Sequence, residues 1–201
     1  MDNLHRKVRM GFTSEMFPAG THMCYIFNDE TERRKLIAKF LQAGLLNNEK
    51  VSYFVDNISS EEVIASLTEL GLDTQVLERS KQLSIMEAKK AYCSENIFVP
   101  EQMLGTLAEL YDKGLAEGYS GTRVSGEMTW ALSGCPGSER LIEYESSINN
   151  LVVTHPITAI CQYDANRFDG ATLFEVLRVH PMMVVRGQVV RNPYYISRSA
   201  S

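Results

Sequence analysis

The sequence predicts an α/β fold: a three-layer domain in which a mostly parallel sheet is flanked by helices. Three observations predict it. Short runs rich in β-branched and aromatic residues alternate with longer stretches of helical period along the chain. Those runs are apolar on both faces, as expected of strands covered by helices on each side. Their βαβα order calls for crossover connections, and so for parallel neighbours.

Residues 1–17 read as an N-terminal extension. Thr21-His22-Met23-Cys24-Tyr25-Ile26-Phe27 is a compact apolar run and the first buried strand. Asn28-Asp29-Glu30-Thr31-Glu32 then starts a helix, with a candidate cap and acids in the first turn. Leu36, Ile37, Phe40, Leu41, Gly44 and Leu45 recur behind it at helical spacing. Lys50 to Asp56 is the second strand, and Ser60 to Leu70 a helix capped by Ser59 or Ser60 and stopped by Gly71. Two shorter strands are expected near Gln75–Leu77 and Gln82–Met86. Pro100 opens a long helix through about Glu117, with Met103, Leu107 and Tyr111 on its apolar side. Thr122 to Met128 is a strand with its exit loop, Gly137 to Val153 a helix, and Ile157 to Asp164 a further strand. Ala171 to Val179 is the last helix. The strand-like Met182–Val190 is expected to turn back as an antiparallel edge. Without repeat, low-complexity tract or linker, residues 18–195 read as one domain and 196–201 as a tail.

Of 201 residues 44% are hydrophobic, enough to bury a substantial core and to exclude wholesale disorder. Lys and Arg number 20 against 25 Asp and Glu, a net charge of −5. The densest basic stretches, Arg33-Arg34-Lys35 and Lys89-Lys90, sit among acids and read as solvated helix faces. Direct nucleic-acid and membrane partners are therefore not expected. Cys24, Cys93, Cys135 and Cys161 stand 69, 42 and 26 positions apart, with no CxxC pair and too few for a disulfide scaffold. The first 20 residues hold Arg6, Lys7, Arg9 and Glu15 rather than an apolar leader. The expectation is a reduced, cytoplasmic, globular domain with Cys93 and Cys135 as bystanders.

No GxxxxGK[ST] or GxGxxG follows a predicted strand. The first strand-to-helix turn carries Asp29, Glu30 and Glu32, whose carboxylates occupy the positive end of the helix and repel a polyphosphate. No ATP is expected. There is no nucleophile elbow, no HExxH and no paired-carboxylate constellation, so no complete catalytic motif marks an enzyme.

His22 and Cys24 lie two apart on one strand and share a face. An imidazole beside a thiol can ligate a transition metal or form a base-activated nucleophile; both can also be packing residues. Cys161 has Tyr163 on its own face, and His180 follows the last helix. His22, Cys24, Cys161 and His180 would make a four-ligand set for a metal such as zinc, though their spacing is long and irregular. Glu127 leaves a core strand just before Trp130, the sole tryptophan, at the strand end where α/β folds place ligands. It can bind a cation or exchange a proton, or simply start a helix. Glu143 and Glu145 are expected to be solvated or paired with Arg140. A small apolar ligand is expected near the strand C-terminal ends, against Tyr25, Glu127, Trp130 and Tyr163. His22 stands early on its strand and Glu127 late, so they share one pocket only if the strand boundaries shift.

Several segments in order carry a resemblance: Gly20 to Phe27, Gly44 to Tyr53, Arg123 to Trp130, Ile160 to Asp164, and His180-Pro181. Together they resemble the MEDS domain, the sensory domain named for methanogens, methylotrophs and the regulator DcmR, over residues 18–195. That family is similar to the RecA/KaiC-type ATPases; Lys39 to Val55 resembles their helix and second strand, while the phosphate loop is missing. The resemblance implies a sensor rather than a motor, for small hydrocarbon derivatives such as halogenated or methylated one-carbon compounds. It carries the family's characteristic polar residues onto His22, Cys24, Glu127, Cys161 and His180. It further implies attachment to kinases or DNA-binding modules. None is expected in this chain, which would signal through a separate regulatory protein or a homo-oligomer. Two rivals remain: a metal- or thiol-dependent enzyme using Cys24 with His22, and a degenerate ATPase kept as a scaffold.

Overall fold

A computed structural model describes residues 6–73, 75, 79 and 81–197. Strands β1 (Lys7–Arg9) and β2 (Met16–Pro18) pair antiparallel as an N-terminal hairpin. Then follow β3 (His22–Phe27), α1 (Glu30–Leu46), β4 (Lys50–Val55), α2 (Ser60–Glu69), β5 (Leu83–Glu87), α3 (Ala88–Tyr92) and α4 (Pro100–Ala116). The chain continues through β6 (Thr122–Glu127), α5 (Leu141–Thr154), β7 (Thr158–Asp164), α6 (Gly170–Val179), β8 (Met182–Val185) and β9 (Gln188–Arg191). Seven strands form one sheet in the order β5-β4-β6-β7-β3-β8-β9. Every pairing in it is parallel except β8 with β9, which makes the antiparallel edge that the sequence suggested. The strand expected near residues 75–77 falls, but for Gln75, outside the described residues.

Local chemistry sets the helix starts. Asp29 caps α1, its carboxylate accepting from the Glu32 N–H, and Ser59 with Glu62 forms a reciprocal capping box on α2. Pro100 sits at the first turn of α4, where its missing N–H costs nothing.

Because side chains alternate along a strand, each strand feeds two cores. Met23, Tyr25, Phe27, Val51, Tyr53 and Ile160 pack beneath α1 and α2. Cys24, Phe54, Val124, Cys161 and Tyr163 face α4, α5 and α6, where Met103, Leu107, Tyr144 and Ile148 cover them. The N-terminal hairpin joins the first core through Val8, 2% exposed. Among the described residues no helix is long and apolar enough to cross a membrane.

One cysteine expectation is corrected. Cys93 and Cys135 are joined as a disulfide, their Cα atoms 6.6 Å apart, while Cys24 and Cys161 are free and buried. Sequence spacing gave no hint of this pair. What brings it together is the aromatic cluster of Tyr92, Phe98 and Trp130, which sits next to both cysteines in the chain fold.

A buried ion pair fastens the edge where α1, β1 and β6 meet. Arg123 Nε donates to Glu49 Oε2 at 2.7 Å, and its two terminal nitrogens donate to the carbonyls of Phe40 and Arg9 at 2.8 Å each. Arg6 Nη1 lies 2.7 Å from the other Glu49 oxygen. The Arg123 side chain runs so close to α1 that a Cβ on Gly44 would stand 2.8 Å from it, which is why the helix carries glycine there. Removing one partner of a pair with no exposed surface leaves the other charge uncompensated. Glu49→Ala is therefore expected to lower stability by about 3–5 kcal/mol, measured by urea denaturation against wild type.

Candidate functional site

Strands β3 and β7 run side by side with His22 opposite Ala159 and Cys24 opposite Cys161. On the face covered by α5 and α6 this places His22 and Cys161 diagonally adjacent, with Tyr163 beyond. Leu141, Tyr144, Glu145 and Ile148 form the buried stripe of α5, at the helical spacing of 3, 1 and 3. That stripe drives the Glu145 carboxylate into the sheet. His180, the C-cap of α6, closes the group from above.

The four side chains converge through their donor atoms. His22 Nε2 stands 3.2 Å and His180 Nε2 3.3 Å from Glu145 Oε2. The Cys161 thiol donates to the same oxygen at 3.3 Å and lies 3.5 Å from His22 Nε2. Tyr163 O–H donates to Glu145 Oε1 at 2.5 Å. None of His22, Glu145, Cys161 and His180 is more than 5% exposed.

The outer ring nitrogens fix the tautomers. His180 Nδ1 lies 2.8 Å from the Val176 carbonyl, which can only accept, so Nδ1 carries the proton. His22 Nδ1 lies 3.0 Å from Asn149 Oδ1, and Asn149 Nδ2 donates to the Val179 carbonyl, so His22 Nδ1 is protonated too. Both Nε2 atoms therefore face inward, toward the Glu145 carboxylate. Burial and neighbouring His180 lower the His22 pKa, against the pull of Glu145 and Asn149. Burial alone would raise Glu145, but His180 and His22 outweigh it and hold the carboxyl well below the usual carboxylate range. Burial and then Glu145 push the Cys161 thiol well above its ordinary value.

Glu127 belongs to a different constellation on the opposite face. Its Oε1 accepts from Tyr53 O–H at 2.7 Å and Arg33 Nη1 at 3.0 Å, and its Oε2 from the backbone N–H groups of Asp56 and Asn57 at 2.9 and 2.5 Å. Arg33 also donates to Gln162 Oε1 at 2.7 Å and pairs with Glu30. Every lone pair of this carboxylate is occupied from within, so Glu127 acts as a clamp between α1, β6 and the β4–α2 turn.

The residues singled out by sequence thus divide. His22, Cys161, Tyr163 and His180 are brought together; Cys24 is beside them but is not the fourth corner. Its thiol turns toward the Met182 carbonyl of β8 at 3.9 Å, and burial followed by Glu145 pushes its pKa up to about 12. A thiol so held is a poor nucleophile, and nothing pairs it with His22 as a base. The proposed shared pocket of Tyr25, Glu127, Trp130 and Tyr163 does not form. Tyr25 and Glu127 project to the α1 face, Tyr163 and Trp130 to the other. Trp130 is a core residue stacked on Tyr92, ring centroids 4.7 Å apart. His22 and Glu127 are separated by strand parity, not by strand boundaries.

Two residues were missed. Glu143 pairs with Arg140 at 2.6 Å as expected, but Glu145 does not: it is the fully buried centre of the group. The available signal was its place on the stripe of Leu141, Tyr144 and Ile148, and Asn149 follows one turn later.

A cleft of about 240 Å³ lies at the β3–α1 turn, lined by Tyr25, Asn28, Asp29, Glu32 and Arg186. In nucleotide-binding α/β folds that turn cradles phosphate. Here the Asp29 carboxylate already caps the helix and Glu32 adds a second negative charge.

A parallel sheet in this order, sheathed by helices and closed by an antiparallel edge, defines a RecA/KaiC-like domain. The structure is similar to a KaiC-like protein of Pyrococcus horikoshii (TM-score 0.65, 13% identity, 89% of this chain and 79% of that one). It is likewise similar to the flagellar accessory protein FlaH of Methanocaldococcus jannaschii (TM-score 0.64, 11% identity, 91% and 83%). The family model described as MEDS, the MEthanogen/methylotroph, DcmR Sensory domain, matches residues 21–181, and the chain belongs to that family. The transcriptional repressor DcmR of Methylorubrum extorquens is 29% identical over 160 residues, 79% of this chain. The chain spans 57% of that relative's length.

The clamp reading of Glu127 makes a definite demand. Glu127→Ala takes one acidic partner from the buried Arg33 guanidinium, which keeps Glu30 and Gln162, and the acceptor from two backbone N–H groups; it is expected to cost about 3–5 kcal/mol in urea denaturation. Tyr53→Phe removes one neutral donor and should cost about 1–2 kcal/mol in the same assay.

Proposed function

We propose that this domain is a sensor for a small apolar molecule, a one-carbon or hydrocarbon derivative, that passes its state to a regulatory partner protein. The observation that carries the reading is a buried apolar void against the polar cluster. Leu107, Val124, Ile148, Leu151, Ile157 and Ala159 line it between the sheet and α4–α5, and Cys161 forms one wall.

The space is small. About 10 Å³ is open to the centre of a water-sized sphere, room for roughly one such molecule. Tyr92 and Tyr144 also face the space, but its walls are mostly apolar side chains, which favour an apolar occupant. A compound of two or three heavy atoms fits only if α5 or α4 moves outward. That requirement turns occupancy into motion: the ligand binds the expanded state better and shifts the population toward it. Few contacts are available to so small a ligand, so its affinity should be modest. Membership of a sensory-domain family and the relative named a transcriptional repressor support a regulatory output.

The test is ligand-observed NMR with a panel of halogenated and methylated one-carbon compounds. Wild type is expected to bind at least one. Ala159→Val adds two methyl groups to the void and should weaken that binding about tenfold or more, at a stability cost of about 1–3 kcal/mol from overpacking. Silence across the panel, or equal binding by the variant, would sink the reading.

A further inference from the structure

We infer that His22, Glu145, Cys161 and His180 form a tetrahedral site for a divalent transition metal, zinc before others. The inference concerns the polar cluster itself and holds whether or not the neighbouring void takes a ligand.

Geometry comes first. The four donor atoms all lie within 4.8 Å of one another. Ligands about 2.0–2.3 Å from a tetrahedral zinc stand about 3.3–3.7 Å apart. The separations between donor atoms here of 3.2, 3.3, 3.3 and 3.5 Å are already edges of such a tetrahedron.

The ring orientations point the same way. With both Nδ1 atoms held by Asn149 and Val176, two imidazole Nε2 atoms and a carboxylate oxygen face each other inside the protein. Among the described residues, His180 Nε2 has no hydrogen bond of sound geometry despite complete burial. A single added proton on His22 would satisfy the His22–Glu145 contact and still leave His180 Nε2 an orphan. One divalent cation at the centre engages all four atoms at once.

Charge and donor type agree. A carboxylate and a thiolate together neutralise a dication, so the loaded centre carries no net charge into the core. Two imidazoles, one sulfur and one oxygen suit zinc and its neighbours, whereas magnesium and calcium prefer all-oxygen sets. The surroundings are those of a metal site as well. Each imidazole is oriented by an acceptor on its far nitrogen, and Glu145 Oε1 is held by Tyr163. Binding proceeds with loss of the Cys161 thiol proton to solvent as the Cys161 sulfur–metal bond forms.

The full chain, expressed with zinc in the medium, is expected to hold one zinc per chain by elemental analysis. Cobalt substituted for it should give the intense visible bands of a tetrahedral ion and a thiolate-to-cobalt charge-transfer band. Cys161→Ser is expected to lose that band, and Cys24→Ser to keep both band and stoichiometry. Asn149→Ala should weaken metal affinity about 10–100-fold, as loss of an orienting group does elsewhere. Circular dichroism checks the fold of each variant, and should Cys161→Ser not fold, the wild-type cobalt spectrum decides by presence or absence of the charge-transfer band. A wild-type chain that takes up neither zinc nor cobalt overturns the proposal. So does a folded Cys161→Ser that keeps the band, or its loss in Cys24→Ser instead.

Discussion

A carboxylate with no exposed surface dictates how the helices sit on this sheet. Glu145 cannot be desolvated without partners, since an unpaired buried charge costs several kcal/mol. Its partners come from three other elements: His22 from β3, Cys161 and Tyr163 from β7, His180 from the end of α6. Shift α5 by one turn and the carboxylate meets apolar side chains. The polar contacts thus select one docking of α5 and α6 among the many that the apolar stripe alone would tolerate.

The same solution is used on the other face, with the opposite outcome for function. Glu127 meets an arginine, a tyrosine and two backbone N–H groups, a complete set of donors that leaves nothing for a ligand. Glu145 meets two imidazoles, a thiol and a tyrosine hydroxyl, groups that, the hydroxyl apart, can also ligate a metal. Two buried glutamates on one sheet therefore differ by the chemistry of their neighbours: one is a closed clamp and the other stands among groups able to ligate a metal.

Much of the fold was legible because it rests on local pattern. The apolar run from Met23 to Phe27, the Ser59–Glu62 cap and Pro100 each declare an element by themselves. The candidate site was legible in part. His22 and Cys161 stood out because polar residues in core strands are rare, and His180 because it follows a helix directly. Glu145 stayed hidden because acids on a helix usually face water, and only its phase against Leu141, Tyr144 and Ile148 told otherwise. The pairing of Glu127 with Trp130 and Tyr163 failed for a different reason. Closeness to strand ends is readable along the chain, but which face a side chain takes depends on strict alternation from a boundary. The Cys93–Cys135 bond lies at a separation of 42 residues that no local rule connects.

Helix α5 joins the void to the cluster. Ile148 and Leu151 wall the apolar void, and Glu145 and Asn149, on the same helix, hold the imidazole cluster. An occupant that pushes the apolar side of α5 outward must also draw Glu145 Oε2 away from His22, His180 and Cys161. A metal that tightened the cluster would pull α5 toward the sheet and shrink the void. Under the two proposals together, occupants of the void and of the cluster would oppose each other through α5, and by linkage the effect would run equally in both directions. The helix on which the void and the cluster both depend also presents Val153, 66% exposed, at its far end. A displacement begun in the core would thus reach the surface without any change in the sheet beneath.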